Sequence, residues 1–455
     1  MGKFENNLSK GSVPKKLIMF SLPFLISNII QTLYSVADMV IVGQFAGTLS
    51  MSGVNIGSQV TFLITNLVLG LSVGATVLIG QYMGADDRKA LKETIGTLFT
   101  TLFILAIVLT ALVHFLKVPL LKLIKTPEDS FSEAFNYFFI TNLGTIFIFG
   151  YNALSAVMRG MGDSRNPLIF VAIACVLNIV LDVVLVAGFN MGATGAAIAT
   201  VFSQAVSMIL CMTYLGRNNF IFDFKLSSFK INKKRLKLLL KIGVPTSIQN
   251  VATSASFLFL TALVNTTGGA IASAAVGAVG KLNGFAILPA VAMSSSVSAM
   301  SAQNLGAGEE KRASQTMFYG MAIGGTISIL AFIFIRLFPE LCMSAFGNDA
   351  EMIKNGVVYL KAFSFDYVIV PWLFCLNGLF IGAGHTTFSL INNAMSSILI
   401  RIPAAYVFGV SLGGGLFGVG LGAPCASFAA LLVAIWFYLS GKWKKMTIID
   451  VRKQG

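Results

Sequence analysis

Charge is what this sequence has least of. Only 11% of its 455 residues are Asp, Glu, Lys or Arg, against roughly 25% in soluble globular proteins. Acid is scarcer than base, 18 residues against 32, and there are two histidines and three tryptophans. The five cysteines, Cys175, Cys211, Cys342, Cys375 and Cys425, have neither zinc-ligand nor redox spacing, which excludes both kinds of centre. They read as small apolar filler. No Walker loop, dinucleotide glycine fingerprint or Ser-His-Asp order is present. Gly413-Gly414-Gly415 follows no strand and cradles no phosphate. The chain is therefore read as no enzyme, with no metal and no organic cofactor.

What fills the chain is apolar: 56% of its residues are hydrophobic and its mean hydropathy is +0.83. The apolar runs are long enough to cross a bilayer as helices, and a transmembrane barrel would show short alternating segments instead. Runs of about 20 residues or more place twelve helices near 17–43, 53–80, 93–116, 134–158, 167–188 and 194–215, then near 237–264, 274–302, 312–338, 355–382, 387–410 and 417–440. The first run is too long for a cleavable signal peptide and lacks its small-residue cleavage site.

Net charge is +14, but its distribution argues against nucleic acid. Most Lys and Arg fall in the termini and in alternate loops: Arg88, Lys89 and Lys92; Arg159 and Arg165; a run from Arg217 to Lys241; Lys311 and Arg312; and the tail from Lys442 to Lys453. This is the positive-inside bias. It predicts a multi-pass protein of the cell membrane with both termini cytoplasmic and basic loops against anionic lipid. External loops are short, so no protein partner is required. The first ten or so residues are polar and read as frayed. The connector 216–236 reads as an inter-lobe linker, with 228–240 either a basic surface helix or a solvated segment.

The sequence also repeats itself. At an offset of 222, Pro23 meets Pro245, Asn28 meets Asn250, Ser72 meets Ser294, and Gly160 and Gly162 meet Gly382 and Gly384. Gly80-Gln81-Tyr82-Met83-Gly84-Ala85 meets Ala302-Gln303-Asn304-Leu305-Gly306-Ala307. Six helices per half is an even number, so the halves enter the membrane the same way round. The fold class is an all-α membrane protein: two six-helix lobes, 1–222 and 223–455, related by a pseudo-twofold axis along the membrane normal. Such repeats typify secondary transporters.

An ionisable group at membrane depth costs at least ~2.5 kcal/mol on insertion scales, so Asp38, Asp182, Lys281, Asp366 and Arg401 each need a reason. With a single offset, Asp38 pairs with Leu260, Asp182 with Ala404 and Asn178 with Ile400, so the first half holds an acid pair that the second lacks. Lys281 pairs with Gln59, Arg401 with Ile179 and Asp366 with Gly144. Asn178 and Asp182 are four apart and share a helix face. Two close acids in a low dielectric do not readily both ionise. Such a pair can exchange a proton or hold a monovalent cation, with Thr200 and Tyr34 as helpers. Asp366 with Lys281 or Arg401 reads as an internal ion pair. Pro23 and Pro245 lie inside the first helix of each half, where proline removes a hydrogen bond and favours a kink.

These stretches resemble the multidrug and toxic compound extrusion (MATE) family over nearly the whole chain. Pro23 with Gln31-Thr32-Leu33-Tyr34-Ser35-Val36-Ala37-Asp38 carries the resemblance, as do Gly80-Gln81 through Arg88 with their echo at Ala302–Gly308, and Arg159 through Pro167 leading into Asn178 and Asp182. The resemblance is closer to the DinF-like than the NorM-like type, whose helix-7 acid is missing between Lys237 and Val264. It implies two lobes around a central cavity, alternating access, and export of cationic amphipathic molecules in exchange for protons, preferred here over sodium. It further implies cation coupling at Asp38, Asn178, Asp182 and Thr200, substrate contact at Gln31, Tyr34 and Asn152, and bending of the first helix at Pro23. The alternative is a flippase for lipid-linked or lipid-like substrates; its expected cluster of cations is reduced here to Lys281 and Arg401.

Overall fold

The computed structural model describes residues 5–123, 126–218, 220–347 and 349–445, and among these the regular structure is helical, with no strand. Apolar chain inside a bilayer must satisfy its own backbone hydrogen bonds, and a helix does so within one segment. Twelve spans result: α1 Val13–Phe45, α2 Gly47–Gly84, α3 Arg88–Lys122, α4 Glu128–Leu143 with Thr145–Gly160, α5 Arg165–Gly188 and α6 Gly192–Arg217; then α7 Lys233–Asn265, α8 Ile271–Ala286 with Leu288–Gly306, α9 Glu310–Leu337, α10 Phe365–Gly382, α11 Thr386–Ser411 and α12 Gly415–Leu439. Each expected span has a counterpart, although the one expected over 355–382 is divided at Ser364 and keeps only Phe365–Gly382 as its membrane-length piece. Two are broken, α4 by 51° and α8 by 40°. At the α4 break a side chain on Gly144 would lie 2.3 Å from Val201. The α8 break precedes Pro289 at the head of its second piece, where proline cannot continue the preceding helix. A separate helix, Ala350–Phe363, leads into α10.

Packing divides the chain into two compact units. One holds residues 1–7 and 26–244, the other 8–25 and 245–455. Neither unit follows a cut at 222/223, since α1 and α7 each change unit within two residues of Pro23 and Pro245 respectively. Both helices run through their prolines. In the first unit, Gly160 of α4 presses on Ile79 and the Thr76 carbonyl of α2. In the second, Gly382 of α10 presses in the same way on Ser298 and Ser301 of α8. Small residues allow such close helix approach.

Two expectations about chain segments fail. From Glu5 onward the amino-terminal segment is tied down rather than frayed, residues 1–4 lying outside the described residues: Glu5 pairs with Arg88 at 2.8 Å, the Asn6 amide donates to Met161 O, the Leu8 amide donates to Gln303 Oε1 at 2.9 Å, and Arg312 donates to Gly11 O. The connector is neither a surface helix over 228–240 nor a solvated linker. Phe222 is buried and packs edge-on to Phe99 and Phe229. Asn232 and Arg235 bond Glu93, and Arg235 reaches the Tyr82 hydroxyl at 2.6 Å. Apolar side chains within the basic run and directed polar contacts together supply this anchoring, which a count of charges overlooks.

The single offset of 222 also needs correction. Gly162 and Gly384 share a left-handed turn at φ 88° and 87° and stand 222 apart. Gly192 and Gly415, which begin α6 and α12, share φ 54° and stand 223 apart. Each half has a π-helical stretch before this second turn, Val183–Gly188 and Val407–Ser411. The second half has one more, Ser396–Arg401, where the first half is α-helical throughout Arg165–Asp182. A π turn closes i→i+5 bonds and so absorbs one extra residue without breaking the helix. Beyond it, Arg401 stands opposite Asn178 rather than Ile179, and Ala405 opposite Asp182.

Candidate functional site

In the first unit the expected residues converge. α1 carries Gln31, Tyr34 and Asp38; α5 carries Asn178 and Asp182 one turn apart; α6 carries Thr200. The Tyr34 hydroxyl donates to Thr200 Oγ1 at 3.1 Å, and Asn178 Nδ2 approaches the same oxygen at 3.5 Å. Asn178 and Asp182 are fully buried and Asp38 nearly so. The Asp38 and Asp182 carboxyls are close enough to interact. Yet Asp38 Oδ1, Asn178 Oδ1 and both Asp182 oxygens have no well-formed hydrogen bond among the described residues. Facing carboxylate oxygens repel unless one carries a proton or a cation lies between them, and water-poor surroundings strengthen that repulsion. The arrangement can therefore take up one positive charge.

This polar cluster backs onto a cavity of about 280 Å³ within the first unit. Gln31, Tyr34, Asn152 and Thr200 all line it, with Phe62 and Tyr151 among its aromatic walls. Asn152 is held by its own helix, donating to Ile148 O at 2.8 Å. Thr200 thus belongs both to the cavity wall and to the polar group of Tyr34 and Asn178, each of which stands one helical turn from an acid.

Two residues of this unit were not foreseen. Tyr137 is buried, directs its hydroxyl to Thr200 and lies within electrostatic range of Asp38, Tyr34 and Asp182. Its repeat partner is Tyr359, and a residue shared by both halves reads as scaffold; only its position beside the acids marks it. Glu133 accepts from Ser50 Oγ and from the Ala193 amide at 2.9 Å. It thereby satisfies an orphan N–H at the start of α6, where the helix dipole favours an acid.

The second-unit residues do not form the expected contact pair. Of the ion pairs within 4.0 Å among the described residues, none includes Lys281, Asp366 or Arg401. Lys281 is exposed. Asp366 is buried in the first turn of α10, where the helix dipole favours an acid, and Ser427 is its hydroxyl neighbour. Arg401 is buried with its guanidinium 4.5 Å over the Phe257 ring. It senses Asp366 only at longer range, because stacking directs it to the aromatic ring instead.

The MatE family model matches the chain twice, over residues 23–184 and 245–407. The two matches reproduce the duplication, and the second is one residue longer, as the additional π turn requires. Among curated relatives, the probable multidrug resistance protein YpnP of Bacillus subtilis is 30% identical over 97% of this chain and 98% of its own. The probable multidrug resistance protein NorM of Thermotoga maritima is 28% identical over 98% and 97%. Among solved structures, a transporter of the MOP superfamily from Pyrococcus furiosus superposes with a TM-score of 0.91 at 24% identity, over 96% of this chain and 98% of that one. Family matches that cover most of both halves, on twelve membrane-length helical spans, identify this chain as a member of the MatE family of membrane transporters.

Proposed function

We propose that this chain is a cation-coupled multidrug exporter: an antiporter that moves cationic amphipathic compounds out of the cell by alternating access, with the proton rather than sodium as coupling ion. The observation that carries this reading is the cavity of about 280 Å³ whose wall residue Thr200 is bonded to Tyr34 and approached by Asn178, with the unsatisfied Asp38 and Asp182 carboxyls behind it. A lipophilic cation has apolar and aromatic surface to rest against and an acid pair to offset its charge. Protonation of the pair removes that attraction, so drug and proton compete, and competition alone suffices for coupling. The names of the two curated relatives support the cargo class. First-unit coupling, as in the DinF-like type, is favoured by the missing acid in α7. Bending of α1 at Pro23 belongs to the same proposal, as do a plasma-membrane location and cytoplasmic termini, which rest on the distribution of Lys and Arg.

Ethidium binding to the purified full-length protein tests the competition. Lowering the pH is expected to displace the dye from the wild type, and Asp38→Asn with Asp182→Asn is expected to remove that pH dependence. Dye binding that ignores pH in the wild type would sink the proposal.

A further inference from the structure

The first unit holds a second cavity, a groove of about 360 Å³ that the export reading does not use. α3 and α6 each pack on the second piece of α4, and the groove lies among the three with Gly150 of α4 in its lining. Phe103 of α3, Met208 and Met212 of α6, and Phe224 and Phe229 of the connector line the rest of its accessible surface. Phe103 is 51% exposed, and Ile104 beside it and Ile209 beside Met208 are exposed too. The groove therefore opens on an apolar face of the kind that meets lipid. Met208 and Met212 stand about 8–14 Å from the end of α6 at Arg217, within the nearer half of a hydrocarbon core about 30 Å thick.

The repeat shows that this space is not forced by the fold. At the offset of 222 the counterpart of Gly150 is Trp372, and the counterpart of Phe103 is Gly325. In the second unit the Trp372 ring lies against Gly325, 3.7 Å from where a side chain would begin. The first unit has no side chain at that place on α4. Among the lining residues the one polar side chain is Thr100, and its hydroxyl is spent on Gly96 O at 2.8 Å. Pockets for polar small molecules orient their guest with a few convergent polar groups. This lining has none to spare, so a guest is held here by apolar contact alone, to which Phe and Met side chains adapt.

The connector supplies charge where the lining supplies none. Lys225 follows Phe224 and Lys230 follows Phe229, and both lysines are exposed. Neither belongs to an ion pair within 4.0 Å among the described residues. Asp223, the one acid between Phe220 and Lys230, accepts from Ser228 Oγ and stands 3.8 Å from Lys92 of α3. Its charge is thus offset from α3, and Lys225 and Lys230 are left to attract an anion. An apolar groove in the outer part of the hydrocarbon layer, with free cations beside its connector end, fits a molecule that is apolar along its length and anionic at one tip.

We propose that this groove binds one anionic phospholipid of the leaflet on the connector's side, with an acyl chain along Gly150 and Met208 and the headgroup phosphate at Lys225 and Lys230. This is a defined site, beyond the general attraction of basic loops to anionic lipid. It does not depend on the export reading, because lipid binding at equilibrium needs no ion gradient and neither Asp38 nor Asp182.

The test uses the full chain in phosphatidylcholine nanodiscs that carry a trace of photoactivatable lipid. Phosphatidylglycerol and phosphatidylcholine tracers with the same diazirine-bearing acyl chain are compared, and adducts are located by peptide mass spectrometry. The ratio of phosphatidylglycerol to phosphatidylcholine adducts at Gly150 and Met208 is read against the ratio at Leu330, an exposed residue of α9. In the wild type the groove ratio should be about tenfold higher, the order that two lysines near a membrane surface supply. Lys225→Gln with Lys230→Gln should bring it to the value at Leu330, whereas Lys311→Gln, which removes an exposed lysine outside the connector, should leave it unchanged. Thr100→Trp, which fills the groove, should also bring it to the value at Leu330. A wild-type groove ratio equal to that at Leu330, or no phosphatidylglycerol adduct in the groove, overturns the proposal without recourse to any variant. So does a preference that survives the double lysine variant or Thr100→Trp, or one that falls equally in Lys311→Gln.

Discussion

Thr200 is the joint between cavity and acids, and its hydrogen bonds can be weighed. Thr200→Val keeps the shape but removes the oxygen that accepts from Tyr34 at 3.1 Å and is approached by Asn178 at 3.5 Å. The second distance is at the edge of hydrogen bonding, so one bond decides the magnitude. Leaving the Tyr34 hydroxyl idle in a buried site costs about 1–3 kcal/mol. Side-chain bonds inside membranes couple less strongly, from roughly 0.6 to about 1.7 kcal/mol, since an unfolded chain in lipid also finds partners. The smaller range governs here, because Tyr137 also directs its hydroxyl to this place and can take up part of the loss. Thr200→Val and Tyr34→Phe should each lower stability in reversible detergent-unfolding titrations. The double variant should recover roughly 0.6–1.7 kcal/mol of the summed losses. Strictly additive losses would refute the claim that Tyr34 and Thr200 act as a bonded pair.

Three further outcomes follow from the packing and the loops. Gly382→Ala should lower stability by about 1–3 kcal/mol, since its new Cβ would lie 2.6 Å from the backbone oxygen of Ser298; Gly216→Ala, with open space around it, should not, and thermal unfolding of both in one detergent checks the contrast. Asp163, in the turn between α4 and α5, accepts from the amides of Arg165 and Asn166, while burial raises its carboxyl above the ordinary aspartate range and these hydrogen bonds pull it back. A raised folded value means that the fold holds the proton more tightly, so stability should fall as pH rises from about 4, the ordinary aspartate value. Asp163→Asn should flatten that part of a melting-temperature profile while keeping an acceptor for the two amides, whereas Asp163→Ala should remove it and cost about 1 kcal/mol as well.

Much of the fold was legible because a bilayer leaves few choices. Apolar runs of membrane length must be helices, and each expected span has a counterpart once each bent pair is counted as one, with 355–382 divided at Ser364. The breaks at Gly144 and before Pro289 were not foreseen, since hydropathy averages over single residues. The first-unit site was legible because charge at membrane depth is rare enough to mark itself: Asp38 and Asp182 were found by that scarcity, and Asn178 by its helical spacing. Tyr137 carries no charge and repeats in both halves, so nothing in the sequence set it apart. The register change is the clearest limit of reading by offset. One inserted residue, absorbed in the π turn Ser396–Arg401, moved Arg401 from opposite Ile179 to opposite Asn178. The expected partnership of Asp366 with Lys281 or Arg401 failed for a related reason, since sequence gives neither the aromatic ring that Arg401 stacks on nor the exposure of Lys281.

The central claim is that export is driven by cation entry at Asp38 and Asp182. The most direct measurement is ethidium efflux from de-energised, dye-loaded cells expressing this chain, under an inward proton gradient or an inward sodium gradient imposed separately. Efflux under the proton gradient alone, lost in both Asp38→Asn and Asp182→Asn, is the predicted result. Efflux that persists in both variants, or that never occurs under either gradient with several cationic dyes, would contradict it.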